Sequence, residues 1–193
     1  MNQKVYFPNL DGLRFFAFFF VFMFHCYYQI PEQGKDSSLY LAFHKLWENG
    51  DLGVNFFFTL SGFLITYLLL SEERQQGNFQ ISGFYWRRVL RIWPLYYFTL
   101  IFGYFIFQKL IQAVGAEVEE TADIWYYVFF IGNFNSIING APVSSTLSVL
   151  WSLAIEEQFY LFWPILLLIF KRNRTLLFSI LLFASLAFRF LYV

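Results

Sequence analysis

The sequence predicts an all-α fold: a polytopic transmembrane helical bundle of about five spans, plus a short re-entrant or interfacial segment. Three observations carry this. The chain is 59% hydrophobic and only 13% charged, about half the charged share of a soluble domain. Apolar runs recur at about 10–30, 52–70, 92–113, 153–170 and 175–193, each near the roughly 20 residues that cross the hydrocarbon core. The connections between them differ in charge, some basic and some acidic. Any one run reads equally well as a buried helix of a soluble domain. Five of them in 193 residues leave no room for such a domain.

Taken in order, the first run follows Pro8 and Asn9, with Asn9 placed to cap it, and Pro31 and Gly34 close it. It is not a convincing signal peptide, because Arg14 and His25 interrupt its apolar residues and no small-residue cleavage site follows. The second run carries Ser61-Gly62 near its middle, a pair that allows close helix packing. In the third, Ser82 is placed to cap an amphipathic lead-in, and Pro94 predicts a kink. Ile124 to Ile131 is apolar and aromatic, but Gly132, Asn133 and Asn135 break it early. A full crossing there would place Lys171, Arg172 and Arg174 outside, against the charge rule, so a re-entrant segment is favoured over a short span. Ser152 offers a cap for the fourth long run, with Glu156 one turn later and Pro164 inside it.

Basic loops mark the cytoplasmic side. The segment 71–91 holds Arg74, Arg87, Arg88 and Arg91 against Glu72 and Glu73, whereas 114–123 holds Glu117, Glu119, Glu120 and Asp123 with no Lys or Arg. The simplest topology for a multi-pass protein of the cell (inner) membrane puts the N-terminus in the cytoplasm. Segments 31–51 and 114–123 are then outside, and 71–91 and 171–174 inside. A net charge of zero gives no support to nucleic-acid binding. The single cysteine, Cys26, excludes an internal disulfide and a multi-cysteine metal site, and no metal or tightly bound cofactor is expected. Cys26 adjoins His25, and helix neighbours do not face each other, so the two make no nucleophile pair. His44 falls in a polar stretch and reads as solvated.

Arg14 and His25 are the most informative pair. An Arg inside a span costs about 2.5–3.5 kcal/mol. Eleven positions at about 100° each bring His25 back to within about 20° of Arg14, with a rise of about 16 Å. Asp11, three residues before Arg14, is placed to hold it. Arg88 and Arg91 also share a face, and two guanidinium forks suit a phosphate or pyrophosphate. The alternative is that basic residues at a cytoplasmic helix end serve topology and meet anionic lipid. Glu156 and Glu157 read either as dipole-stabilised acids at a helix start or as a carboxylate that orients His25 as a base. The topology places His25 and Glu156 at the outer level and Arg14, Arg88 and Arg91 at the inner one. Buried Arg, His and Glu also build ion paths, so a transporter-like module is the competing reading. It lacks the repeated halves or broken helices expected of transporters.

Four stretches together resemble the acyltransferase 3 family of integral-membrane acyltransferases, which includes bacterial O-acetylases of cell-surface polysaccharides. They are Leu10-Asp11-Gly12-Leu13-Arg14 with His25, Gly53 to Ile65, Phe84 to Tyr97 with Arg87, Arg88 and Arg91, and Leu150 to Tyr160 through Trp163-Pro164. The resemblance implies transfer of an acyl group, usually acetyl from acetyl-CoA as co-substrate, to a carbohydrate hydroxyl. It implies His25 as the essential catalytic residue with Glu156 as the family's carboxylate. It further implies Arg14 as the motif partner and Arg88 with Arg91 as the donor-binding pair. Asp11, Ser61, Trp151, Ser152 and Glu157 fall in the same motifs as supporting residues. Family domains run to about twice this length, so residues 1–193 read as the N-terminal half of a membrane acyltransferase domain with C-terminal spans missing. An inactive truncated fragment is the remaining alternative.

Overall fold

A computed structural model describes residues 7–28, 30, 34–47, 50–113, 115, 120 and 122–192, and every regular element among them is helical. The chain divides into two compact units, Met1–Phe79 and Gln80–Val193.

The first unit holds α1 (Pro8–Tyr28), α2 (Ser38–Trp47) and α3 (Asp51–Gln76). Helix α1 starts at Pro8, a residue suited to the first helical position, so Asn9 lies inside the helix and is not its cap. Helices α1 and α3 run antiparallel. Phe7 packs edge-on to Tyr67 at 4.9 Å, Ala17 and Val21 lie against Gly53, and Phe24 lies against Gly50. Gly53 makes this approach possible: a Cβ there would sit 2.9 Å from the Ala17 carbonyl oxygen and 2.9 Å from Val21 Cγ2. The hydroxyls inside α3 are satisfied locally, Thr59 donating to the Asn55 carbonyl at 2.9 Å and Thr66 to that of Gly62 at 2.7 Å. Gly77, at φ 77°, ends α3 in the left-handed conformation and returns its N–H to the Glu73 carbonyl. The polar stretch around His44 is not a solvated loop. It forms α2, where Tyr40 stacks on Tyr27 of α1 at 5.5 Å and meets the His44 ring edge-on at 5.1 Å.

In the second unit, α4 (Ile81–Ile101), a π-helical turn (Phe102–Ile106) and α5 (Phe107–Ala113) form one rod of 33 residues. A second rod of 25 residues, Ser145–Ile169, joins α8 (Ser145–Ser148) to α9 (Leu150–Ile169). Helix α10 (Arg174–Tyr192) follows. Among the described residues, four helices, α3 included, are long and apolar enough to cross a membrane, and the apolar stretch of α1, Gly12–Tyr27, is shorter. Between the rods lie α6 (Ile124–Val128) and α7 (Gly132–Ile138), of 5 and 7 residues. At about 1.5 Å per residue neither approaches the roughly 30 Å of a crossing.

Two further helix starts differ from expectation. Helix α4 begins at Ile81, so Ser82 is no cap and Arg87, Arg88 and Arg91 lie on the helix, not in a connection. The helix continues through Pro94. The fourth run begins near Ser145, not after Ser152, whose hydroxyl donates to the Val149 carbonyl at 3.1 Å.

The short helices are fastened to both rods. Tyr96 and Tyr97 of α4 donate to the Tyr127 and Val128 carbonyls at 2.8 and 3.0 Å. Phe130 takes φ 55°, a left-handed conformation costing about 1–3 kcal/mol. Its ring packs 4.2 Å from Tyr96, and its carbonyl accepts Gln158 Nε2 of α9 at 2.8 Å. Glu120 closes the base of this segment, its carboxylate accepting the N–H groups of Ala122, Val143 and Ser144 at 3.2, 2.9 and 2.8 Å. Asp123 caps α6 through the Trp125 N–H at 3.0 Å. Tyr127 is fully buried there, and burial pushes its hydroxyl above the usual 10.0.

Candidate active site

The register of α4 against α9 places the site. Moving along α4, Tyr85 donates to the Leu161 carbonyl at 2.7 Å, Arg88 lies over Tyr160, and Trp93 reaches Glu157. Gly103, beyond α4, packs against Leu147. The partner number falls as the α4 number rises, so the two rods are antiparallel. The Leu161 carbonyl lies one residue from that of Tyr160, which Pro164, lacking an N–H, cannot serve.

Three charges meet in this register. Glu156 is 7% exposed, and the hydroxyl of Tyr160, one turn on, donates to its carboxylate. The Arg88 guanidinium lies 5.1 Å from the Tyr160 ring centre and 5.4 Å from that of Phe84, within cation–π range of both. Trp93 Nε1 donates to Glu157 Oε2 at 3.3 Å, and Glu157 lies within the electrostatic reach of both Arg88 and Glu156. Glu156 therefore stands at the level of Arg88, well inside its rod. The expected separation into an outer Glu156 and an inner Arg88 does not hold, because the helix starts earlier than the apolar run. Glu156 is also no N-terminal acid stabilised by the helix dipole.

Arg88 is half-buried while Arg91, its expected partner on the same face, is exposed, as is Arg87. Trp151 is exposed and Ser152 half-buried, both in the first turn of α9. In the first unit, Arg14 and His25 are both half-buried on α1. His25 is not deep in the helix: it occupies the last turn, where its ring meets that of Phe24 at 5.5 Å. Ser61 is buried in α3, and Cys26 is exposed. The side chain of Asp11 and the loop acids Glu117 and Glu119 lie outside the described residues.

Sequence reasoning missed Tyr160, Trp93 and Glu120. Tyr160 had a usable signal, since it stands four residues from Glu156 and so shares its helix face. Glu120 had none, because its partners are backbone N–H groups, two of them more than 20 residues away.

These features define an integral-membrane helical protein with ionisable side chains held inside its helices. The chain belongs to the acyltransferase 3 family, matching that family's acyltransferase domain over residues 7–193. It is 32% identical over 179 residues to the peptidoglycan O-acetyltransferase OatA of Listeria monocytogenes, covering 88% of the chain and 25% of that protein. It is 35% identical over 173 residues to the putative peptidoglycan O-acetyltransferase YrhL of Bacillus subtilis, covering 85% of the chain and 24% of the relative. It is 33% identical over 176 residues to the O-acetyltransferase OatA of Staphylococcus aureus, covering 86% and 26%. The chain thus spans about a quarter of the length of these relatives. No solved structure matches it.

Proposed function

We propose that this chain serves a membrane O-acetyltransferase that moves an acetyl group from acyl-CoA to a hydroxyl of a cell-wall glycan, with peptidoglycan as the acceptor. The N-terminus lies in the cytoplasm in this reading, and residues 114–150 lie outside. The names of the relatives support the reaction class and the acceptor. The observation that carries it in the structure is the retention of Arg88, Glu156 and Glu157 together inside two apolar rods. Such groups are expensive in a bilayer and are retained for chemistry or transport.

The roles follow from chemistry. His25 takes the proton of the acceptor hydroxyl as its oxygen attacks the thioester carbonyl. The C–O bond forms, the C–S bond breaks, and the proton leaves with the CoA thiolate. Arg88 and Arg91 meet the donor's phosphates, Arg88 from a fixed position between two rings and Arg91 from the exposed helix surface. Glu156 supplies the carboxylate of the site, with Arg14 on the His25 face of α1.

The test is His25→Ala in the protein as its cell makes it, scored by acetate released from peptidoglycan with base. Loss of general-base catalysis predicts a fall of roughly 10²–10⁴-fold with membrane expression intact. Near-normal acetylation by the variant would overturn the assignment.

A further inference from the structure

Tyr160 touches both the arginine and the carboxylate of this site. It is 4% exposed on α9, one turn after Glu156. Its hydroxyl is bonded to the Glu156 carboxylate, and its ring carries the Arg88 guanidinium at 5.1 Å. Phe84 forms an adjacent wall, meeting the Tyr160 ring edge-on at 6.4 Å and an interplanar angle of 87°. One phenol thus presents a π-face to a cation and a hydroxyl to an anion.

We propose that Tyr160 is a positioning residue that couples Arg88 to Glu156, its ring setting the guanidinium and its hydroxyl setting the carboxylate. This rests on the function proposed above. Two separable effects follow. Glu156 acts on the reacting groups, so losing the hydroxyl slows turnover. Arg88 acts on the donor, so losing the ring weakens donor binding. Trp93 has the corresponding single task toward Glu157.

Tyr160→Phe keeps the ring and removes the hydroxyl, whereas Tyr160→Leu removes both. With the protein purified in detergent, Tyr160→Phe is expected to lower kcat roughly 10-fold or more, with KM for acetyl-CoA within about 2-fold of wild type. Tyr160→Leu is expected to lower kcat as much and also to raise that KM roughly 3-fold or more. In a Glu156→Gln background the Phe substitution is expected to add nothing, because the hydroxyl acts only through Glu156. Wild-type kcat in Tyr160→Phe, or full additivity with Glu156→Gln, would overturn the proposal. If Tyr160→Leu does not fold, the Phe variant and the double variant decide alone. Failure of the wider reading is separate: it shows as a wild-type protein that does not consume acetyl-CoA. The coupling is then read from thermal melting of wild type, Tyr160→Phe, Glu156→Gln and their double variant, where non-additive losses support the Tyr160–Glu156 link and additive ones refute it.

Discussion

Glu120→Ala removes one carboxylate and leaves three backbone donors to find new partners. Glu120 holds the two ends of the short-helix segment together, taking Ala122 on one side and Val143 with Ser144 on the other. The cost divides by exposure. Val143 is 47% exposed, so solvent replaces its lost acceptor at little cost. Ala122 and Ser144 are 3% and 1% exposed, so their N–H groups lose their acceptor where water does not reach. An orphaned buried donor costs about 1–3 kcal/mol, which makes the local loss about 2–6 kcal/mol. Glu120→Gln retains one acceptor oxygen and should lose about half as much. Hydrogen exchange in detergent, read by mass spectrometry over peptides covering 120–128 and 141–149, measures this directly. Local opening that is 2 kcal/mol easier raises exchange roughly 30-fold. Protection unchanged by Glu120→Ala in both peptides would show that the segment does not depend on this carboxylate.

Two further predictions concern packing and topology. Gly53→Ala should weaken the α1–α3 contact by about 1–3 kcal/mol, because the new methyl meets the rigid Ala17 carbonyl as well as Val21; a melting temperature equal to wild type would show that α1 can move aside. In a Cys26→Ser background, Ala141→Cys should react with a membrane-impermeant thiol reagent added to intact cells and Arg172→Cys should not, and labelling of both positions would refute a crossing by Ser145–Ile169.

The spans were legible because burial in lipid demands long apolar runs, and these survive any detail of packing. The ends of the helices were less so. The stretch from Ser144 to Ser152 carries four serines and a threonine, which lower hydropathy and hide a helix. The helix accommodates these hydroxyls by letting them bond back to its own carbonyls, as Ser148 does to Ser145 at 2.7 Å. That reassignment of about two turns moves Glu156 from a helix entrance to the interior and alters its partners. Arg88 was legible as a charge on a helix face, but the rings of Phe84 and Tyr160 that lie against it were not. Each ionisable residue stood out against apolar neighbours. Their partners did not, since Tyr160 and Trp93 are aromatic residues in a chain that is 25% aromatic. Which aromatic ring faces a charge and which faces lipid is decided by helix register, and register belongs to the fold, not to any local pattern.

The short-helix segment sets the parity of everything downstream of it. The chain climbs one rod, turns through two helices too short to cross, and descends the antiparallel rod, so it returns to the side from which it started. Lengthening α6 or α7 into a full crossing would add one passage and invert the direction of every later helix. Glu156 would then travel past Arg88 in the opposite sense, and the contacts of Tyr85, Arg88 and Trp93 with α9 would lose their order. A segment of a few turns thereby governs the handedness of traffic through the whole unit, and insertions within it should be tolerated in even numbers of crossings or not at all.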